Sequence, residues 1–269
     1  MNLLEKIVAE KRKEIEEKKS LYPVKWLEKS NYFPTECVSL KKYLQKFENQ
    51  FSIIAEFKRK SPSKGIINEY AKVEEITLGY MQAGACALSI LTDEKYFGAK
   101  PDDLSTARYW HYCPILRKDF ILDEYQILEA KAMGADVILL IVRILDFDSL
   151  QRLCQFAKSL GLEVLMEFHD IKDIQKCQDC IDYDIAGINH RNLDTLEFHY
   201  QNSIELLEKL PKEKLRIAES GINSPEILVN LKKLGYQGFL IGEYFMKSYN
   251  PGNACKNFIQ EAQELWQRS

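Results

Sequence analysis

Five ionisable side chains of mixed sign stand where short apolar runs end: Glu56 and Lys58, Lys118, Glu167 and Glu219. Glu56 and Lys58 are two residues apart, so on an extended chain both point to the same side. Charges of both signs that converge on one poorly solvated mouth can move one another's pKa, as an acid–base site requires. The bland alternative is a set of salt bridges closing one end of the fold, because structural ion-pair networks look the same in sequence. A second grouping suits an anion. Ser220-Gly221 and Gly242-Glu243 follow two later apolar runs, and glycine there lets backbone N–H groups approach a phosphate closely. The run from Lys58 to Lys64 carries four positive charges and two serines. It could supply cationic and hydroxyl contacts to the same anion, although a charge run by itself reads equally well as a solvated loop. Phe57, Phe97, Phe120 and Phe168 also fall at strand ends, where one or two could line a pocket for an aromatic substrate.

Other chemistries find less support. Of the four histidines, His169 and His190 fall near the mouth, and His111 and His199 on helices. None has a partner at metal-ligand spacing, so neither a metal nor a histidine-based nucleophile is assigned. The seven cysteines are odd in number and scattered, which predicts reduced thiols. Cys177 and Cys180 form a CxxC, but a zinc site needs two more ligands at sensible spacing. With 37 basic and 40 acidic residues the net charge is −3, which argues against a nucleic-acid binder. A 46% hydrophobic, 29% charged composition can bury a sizeable core. No apolar run approaches the roughly 18 residues needed to cross a bilayer, and the N-terminus lacks a signal-peptide layout. A cytoplasmic protein is expected.

The elements that must position these groups alternate regularly from residue 52 onward. Strands are predicted at Ser52–Phe57, Cys86–Leu91, Ile115–Arg117, Val137–Ile141, Glu163–Glu167, Ile185–Asn189, Leu215–Ala218 and Gly238–Ile241. Helices are predicted between and after them at Val73–Gln82, Pro101–Trp110, Asp123–Met133, Asp146–Leu160, Ile171–Cys180, Asn202–Lys209, Ser224–Leu234 and Pro251–Trp266. Gly84, Gly134, Gly161 and Gly235 stand where a helix should stop before a strand, and Asp123, Asp146 and Ser224 are plausible N-caps. Strand–helix alternation implies a parallel sheet. Eight evenly spaced units, with no GxGxxG after any strand, favour a closed (β/α)8 barrel over an open doubly wound sheet. Residues 1–269 then form one barrel domain, with the first 50 as a helical extension of that domain. In such a barrel function sits at the C-terminal ends of the strands, where the five ionisable groups and the two glycine pairs fall.

Five strand-end motifs fall on five different strands in order: Ile54-Ala55-Glu56-Phe57-Lys58-Arg59-Lys60-Ser61-Pro62-Ser63, Leu88-Ser89-Ile90-Leu91-Thr92-Asp93, Pro114-Ile115-Leu116-Arg117-Lys118-Asp119-Phe120-Ile121, Gly187-Ile188-Asn189-His190-Arg191-Asn192-Leu193 and Ala218-Glu219-Ser220-Gly221-Ile222. Taken together they closely resemble the indole-3-glycerol phosphate synthase family. The resemblance runs over nearly the whole chain and implies a reaction. A 1-(2-carboxyphenylamino)-1-deoxyribulose 5-phosphate would close to indole-3-glycerol phosphate with loss of CO2 and water. It further implies Lys118 as general acid and Glu167 as its acid–base partner. Lys58 would contact the substrate carboxylate and act in dehydration, while Glu56 and Glu219 would orient the lysines and stabilise iminium charge. Asn189 would orient substrate and Arg191 would lie near its carboxylate. Lys60, Ser61, Ser220, Gly221, Gly242 and Glu243 would hold the phosphate, and Phe97 and Leu139 the aromatic ring. The N-terminal helices would cover the mouth. No cofactor is implied. The implied partner is a small phosphorylated substrate, without nucleic acid or membrane, for a monomer at most in weak contact with other tryptophan-pathway enzymes.

Two positions depart from the family's pattern. His190 stands where a small or amide residue is more usual. Glu243 stands where some relatives have serine, so its carboxylate must turn away from a phosphate. A phosphoribosylanthranilate isomerase-like barrel would need a cysteine base after strand 1 and an aspartate acid after strand 6, where this chain has Glu56/Lys58 and Asn189. A barrel kept only as a scaffold would be expected to have lost at least one charged strand-end residue, and all are present.

Overall fold

The computed structural model describes residues 2–46, 50–177, 181–190 and 201–269, the side chains of 201–203 excepted. Eight parallel strands close into a barrel: β1 (Ile53–Phe57), β2 (Ala87–Leu91), β3 (Ile115–Lys118), β4 (Val137–Ile141), β5 (Glu163–Phe168), β6 (Ile185–Asn189), β7 (Leu215–Glu219) and β8 (Gly238–Ile241). Each pairs with its chain neighbours, and β8 returns to β1 with Ala55 opposite Ile241. The observed strands differ from the predicted ones by at most one residue at either end. The helices lie where the 3.6-residue period puts them. Asp123, Asp146 and Ser224 cap their helices through their side chains, and the four helix-ending glycines all take positive φ. The helix predicted to run to Cys180 ends at Lys176, with Cys177 as its C-cap; Cys180 lies outside the described residues. No described helix is long and apolar enough to cross a membrane.

Four short elements have no sequence period long enough to be read: the hairpin Lys60–Ser61/Gly65–Ile66 and the single turns Glu94–Phe97, Val142–Ile144 and Glu243–Met246. They lie in the loops after β1, β2, β4 and β8, at the C-terminal end of the barrel.

The pleat explains why one end is oily and the other charged. Successive residues of a strand face opposite sides. The inward stripe reads Ile54 then Glu56 on β1, Leu116 then Lys118 on β3, Leu165 then Glu167 on β5, and Ile217 then Glu219 on β7. Ile54, Leu116, Leu165 and Ile217 cluster with Val137, Leu139, Ile185 and Leu240 as the barrel's inner core. Leu40 and Leu44 of the helix Leu40–Lys46 join that core from below, Leu44 against Gly238 at the start of β8. The outward residues, among them Ile53, Ala55, Leu88 and Ile138, pack under the surrounding helices.

The N-terminal helix Leu3–Leu21 begins with a capping box between Asn2 and Glu5. Lys11 fastens it to the barrel. Its ammonium lies 2.8 Å from Asp93 and 3.1 Å from Asp119, and all three groups are buried. Asp119 in turn pairs with Arg117, which also reaches Glu129. At the helix's far end the Tyr125 hydroxyl lies 3.1 Å from the carbonyl of Lys18 and 2.8 Å from that of Tyr22. Removing one partner from a buried ion pair strands the others. Lys11→Ala is therefore expected to lower unfolding stability by about 3 kcal/mol, measured by denaturant titration. A loss within about 0.5 kcal/mol, the range of ordinary surface substitutions, would remove Lys11 from this role.

Candidate active site

The C-terminal end of the barrel opens into a cavity of about 680 Å3. Its floor is the charged end of the inward stripe. Lys118 Nζ lies 2.7 Å from Glu167 Oε2 and forms a second, shorter ion pair with Glu219. Asn189 Nδ2 donates to Glu167 Oε1 at 3.2 Å. Lys58 Nζ pairs with Glu56 Oε1 at 2.6 Å, as their shared facing predicts. Two inward glycines make room for the carboxylates. A Cβ on Gly187 of β6 would stand 2.1 Å from Glu219 Oε1, and one on Gly242 after β8 would stand 2.6 Å from Glu56 Oε1.

The same few ångströms push the two carboxylates around Lys118 in opposite directions. Burial works against ionisation of both. At Glu167 it is outweighed by Lys118 and His169, which hold the carboxyl well below the ordinary range. At Glu219 burial prevails, Lys118 opposes it, and repulsion from Glu167 adds to it, so its pKa is pushed up to about 7. Burial would lower the Lys118 pKa, but Glu167, Glu219 and Glu56 together raise it above the ordinary lysine range. The resting site therefore holds one firmly protonated ammonium, one firmly ionised carboxylate and one carboxyl poised near neutrality. Paired groups driven apart in this way can divide acid and base work between them.

Most of the residues singled out in the sequence meet in this cavity. Glu56, Lys58, Ser61, Phe97, Lys118, Leu139, Glu167, Asn189, Glu219, Ser220, Gly221, Gly242 and Glu243 all line it. Lys60 is not part of the lining; its side-chain carbons pack beside Gly98. Arg191 lies outside the described residues. Glu243 pairs with Lys247 at 2.6 Å. The run from Lys58 to Lys64 splits by task. Lys58 joins Glu56, and Arg59 is buried against Asp103 at 2.5 and 2.8 Å, while Lys64 faces the cavity.

Sequence reasoning missed two contributors, His169 and Gly187. His169 is buried behind Glu167, its Nε2 3.2 Å from Glu167 Oε1 and its Nδ1 3.7 Å from Asp173 Oδ2. Burial disfavours its charge, but Asp173 and Glu167 outweigh that and raise its pKa to about 9. Asp173 lies four residues on in the next helix, a spacing that could have signalled the pair. Gly187 reads in sequence as an ordinary strand glycine. Leu3, Leu4 and Ile7 of the N-terminal helix line the apolar side of the cavity.

The closed parallel barrel with its charged mouth places the chain among the (β/α)8-barrel enzymes. A solved structure of thiamine phosphate pyrophosphorylase from Pyrococcus furiosus is similar in fold. Its TM-score is 0.60 at 13% identity, over 84% of this chain and 99% of that one. The indole-3-glycerol phosphate synthase family profile matches residues 4–258. The indole-3-glycerol phosphate synthase of Bacteroides thetaiotaomicron is 44% identical over 97% of this chain and 99% of its own length. That of Campylobacter jejuni subspecies doylei is 42% identical over 96% of this chain and 100% of its own length. The chain belongs to the indole-3-glycerol phosphate synthase family.

The shift at Glu219 has a direct readout. A carboxylic-acid infrared band should disappear with a midpoint near pH 7 in the native protein and be absent from Glu219→Gln. A native spectrum with no acid band left at pH 6 would contradict the raised value. In Gly187→Ala the added methyl must displace the Glu219 carboxylate, an overpacking expected to destabilise by about 1–3 kcal/mol. Native-like thermal stability there would show that the carboxylate has room to move.

Proposed function

We propose that this chain closes the indole ring. It takes 1-(2-carboxyphenylamino)-1-deoxyribulose 5-phosphate to indole-3-glycerol phosphate, with release of CO2 and water. What carries this reading, beside the family membership, is Lys118: an ammonium held between two carboxylates of opposed proton affinity, facing the cavity.

The chemistry fits those groups step by step. The ring carbon that bears the carboxylate attacks the ketone carbon, and Lys118 gives its proton to the ketone oxygen as the new bond forms. The attack leaves positive charge on the arylamine nitrogen, and the carboxylates of Glu56 and Glu219 stabilise it. Loss of CO2 returns the bonding electrons to the ring. The hydroxyl made in the first step then leaves as water with a proton from a lysine. Glu167, ionised at rest, removes the proton from the neighbouring carbon. Lys58 holds the substrate carboxylate and serves the dehydration, while Asn189 orients the substrate and Arg191 lies near its carboxylate. Phe97 and Leu139, with the N-terminal helix above them, enclose the aromatic ring.

The phosphate falls to the loops after β7 and β8, where Ser220, Gly221, Gly242 and Glu243 line the cavity, with Ser61 from the loop after the adjacent β1. Ser220 (φ 68°) and Gly221 (φ 72°) are both left-handed, a turn that can gather N–H groups around an anion. Lys60 is retained as a phosphate contact only on the family pattern, and Lys64 joins Lys58 as a cation after β1 that lines the cavity. The setting we propose is a monomer in the cytoplasm, at most in weak contact with other enzymes of the tryptophan pathway.

Purified protein given the ribulose-phosphate substrate should develop indole fluorescence without added metal or nucleotide; absence of product would overturn the proposal. Lys118→Ala should lower kcat by about 100-fold or more, the scale of a lost general acid, and a near-native rate would end its role. Ser220→Asp should raise KM through repulsion of the phosphate. Aspartate tolerates left-handed backbone, so the substitution tests charge rather than strain, and an unchanged KM would move the phosphate elsewhere.

A further inference from the structure

His190 follows the last residue of β6 and is 3% exposed. Two of its groups converge on one atom: its backbone N–H and its ring Nδ1 both lie 3.0 Å from the carbonyl oxygen of Glu219. Its Nε2 lies 3.2 Å from the Tyr236 hydroxyl, whose ring meets the imidazole edge-on at 5.7 Å. These partners fix the tautomer. A carbonyl only accepts, so Nδ1 carries the proton; Nε2 then accepts from the Tyr236 O–H. Burial keeps the ring neutral, lowering its pKa to about 4 against the opposing pull of the Glu219 carbonyl.

The carbonyl so held belongs to the peptide that joins Glu219 to Ser220. Among the described residues Ser220 is the one non-glycine with positive φ, a conformation a serine adopts only when its surroundings impose it. The chain has no cis peptide among the described residues, and in a trans peptide the C=O and N–H point in opposite directions. Two donors that anchor the Glu219 oxygen on the His190 side therefore aim the Ser220 N–H away from His190. Ser220 and Gly221 line the cavity.

We propose that His190 is a positioning residue for the anion-binding turn: its Nδ1-protonated ring locks the Glu219–Ser220 peptide plane and presents the Ser220 N–H to the substrate phosphate. The proposal rests on the phosphate reading of that turn. It also accounts for a histidine at a position where the family pattern has smaller or amide side chains. An asparagine amide could reach the same carbonyl, whereas an apolar side chain could not.

The test compares His190→Leu with His190→Asn, using inorganic phosphate as a competitive probe. The leucine variant should raise both KM and the phosphate inhibition constant about tenfold, the scale of one lost hydrogen bond, while kcat falls less than about threefold. The asparagine variant should stay within about twofold of native on both constants, because it restores the donor. Nitrogen-15 NMR of the native protein at neutral pH should show the proton of the His190 ring on Nδ1, a readout that does not depend on any variant folding. A ring protonated on Nε2, or leucine and asparagine variants with equal phosphate constants, overturns the inference. Phosphate that fails to compete in the native protein would remove the phosphate reading itself, and the inference with it.

Discussion

Lys118 stands between Glu167 and Glu219 with little water on any of the three, and a charge in that place must be matched by its immediate neighbours. Taking each ion out of water costs several kcal/mol, recovered only where geometry is close and further hydrogen bonds are satisfied. Much of the surrounding structure serves that requirement. Gly187 clears space for the Glu219 carboxylate, and Asn189 and His169 occupy the other oxygen of Glu167. Glu56 is matched by Lys58 in the clearance left by Gly242. At Glu219 burial, with repulsion from Glu167, outweighs Lys118 and leaves a carboxyl that keeps its proton near neutrality. Positive charge arriving in the mouth would favour its ionised form. In the reaction proposed above, an arylamine nitrogen turning cationic would bring that charge.

The barrel was legible in the sequence because each of its units repeats the same two periods. A five-residue apolar run and a ten-residue amphipathic one, separated by a glycine stop or an aspartate cap, leave little freedom in where an element begins. The charged mouth was legible for a related reason: Glu56, Lys118, Glu167 and Glu219 each end an otherwise apolar stripe. What stayed hidden depended on partners far away in sequence or on direction. The shared facing of Glu56 and Lys58 was local, but nothing local says that Arg59 finds its partner in Asp103, 44 residues on. Nothing local says that Lys64, rather than Lys60, faces the cavity. His169 has no metal-ligand spacing to announce it, and its importance comes from lying between a strand-end carboxylate and one on the following helix. The short turns after β2, β4 and β8 are too brief to carry a period.

The ion pairs divide by location as well as by strength. The cluster of Lys11, Asp93, Asp119, Arg117 and Glu129 borders the mouth, where Asp119, the residue directly after Lys118, lines the cavity. The end of β3 therefore carries the Lys118 ammonium, while the next residue, Asp119, is bolted to the N-terminal helix. The helix contributes Leu3, Leu4 and Ile7 to the apolar wall of the cavity, so its docking and the alignment of Lys118 draw on a common set of contacts.

The leading segment touches both ends of the barrel: Leu3, Leu4 and Ile7 roof the mouth, and Leu40 and Leu44 seal the floor. Its anchoring groups, among them Asp93, Asp119, Glu129 and the start of β8, come much later in the chain. The segment is thus held by contacts distant in sequence. Its contacts are long-range ones whose closure entropy is met only after the distant strands have assembled.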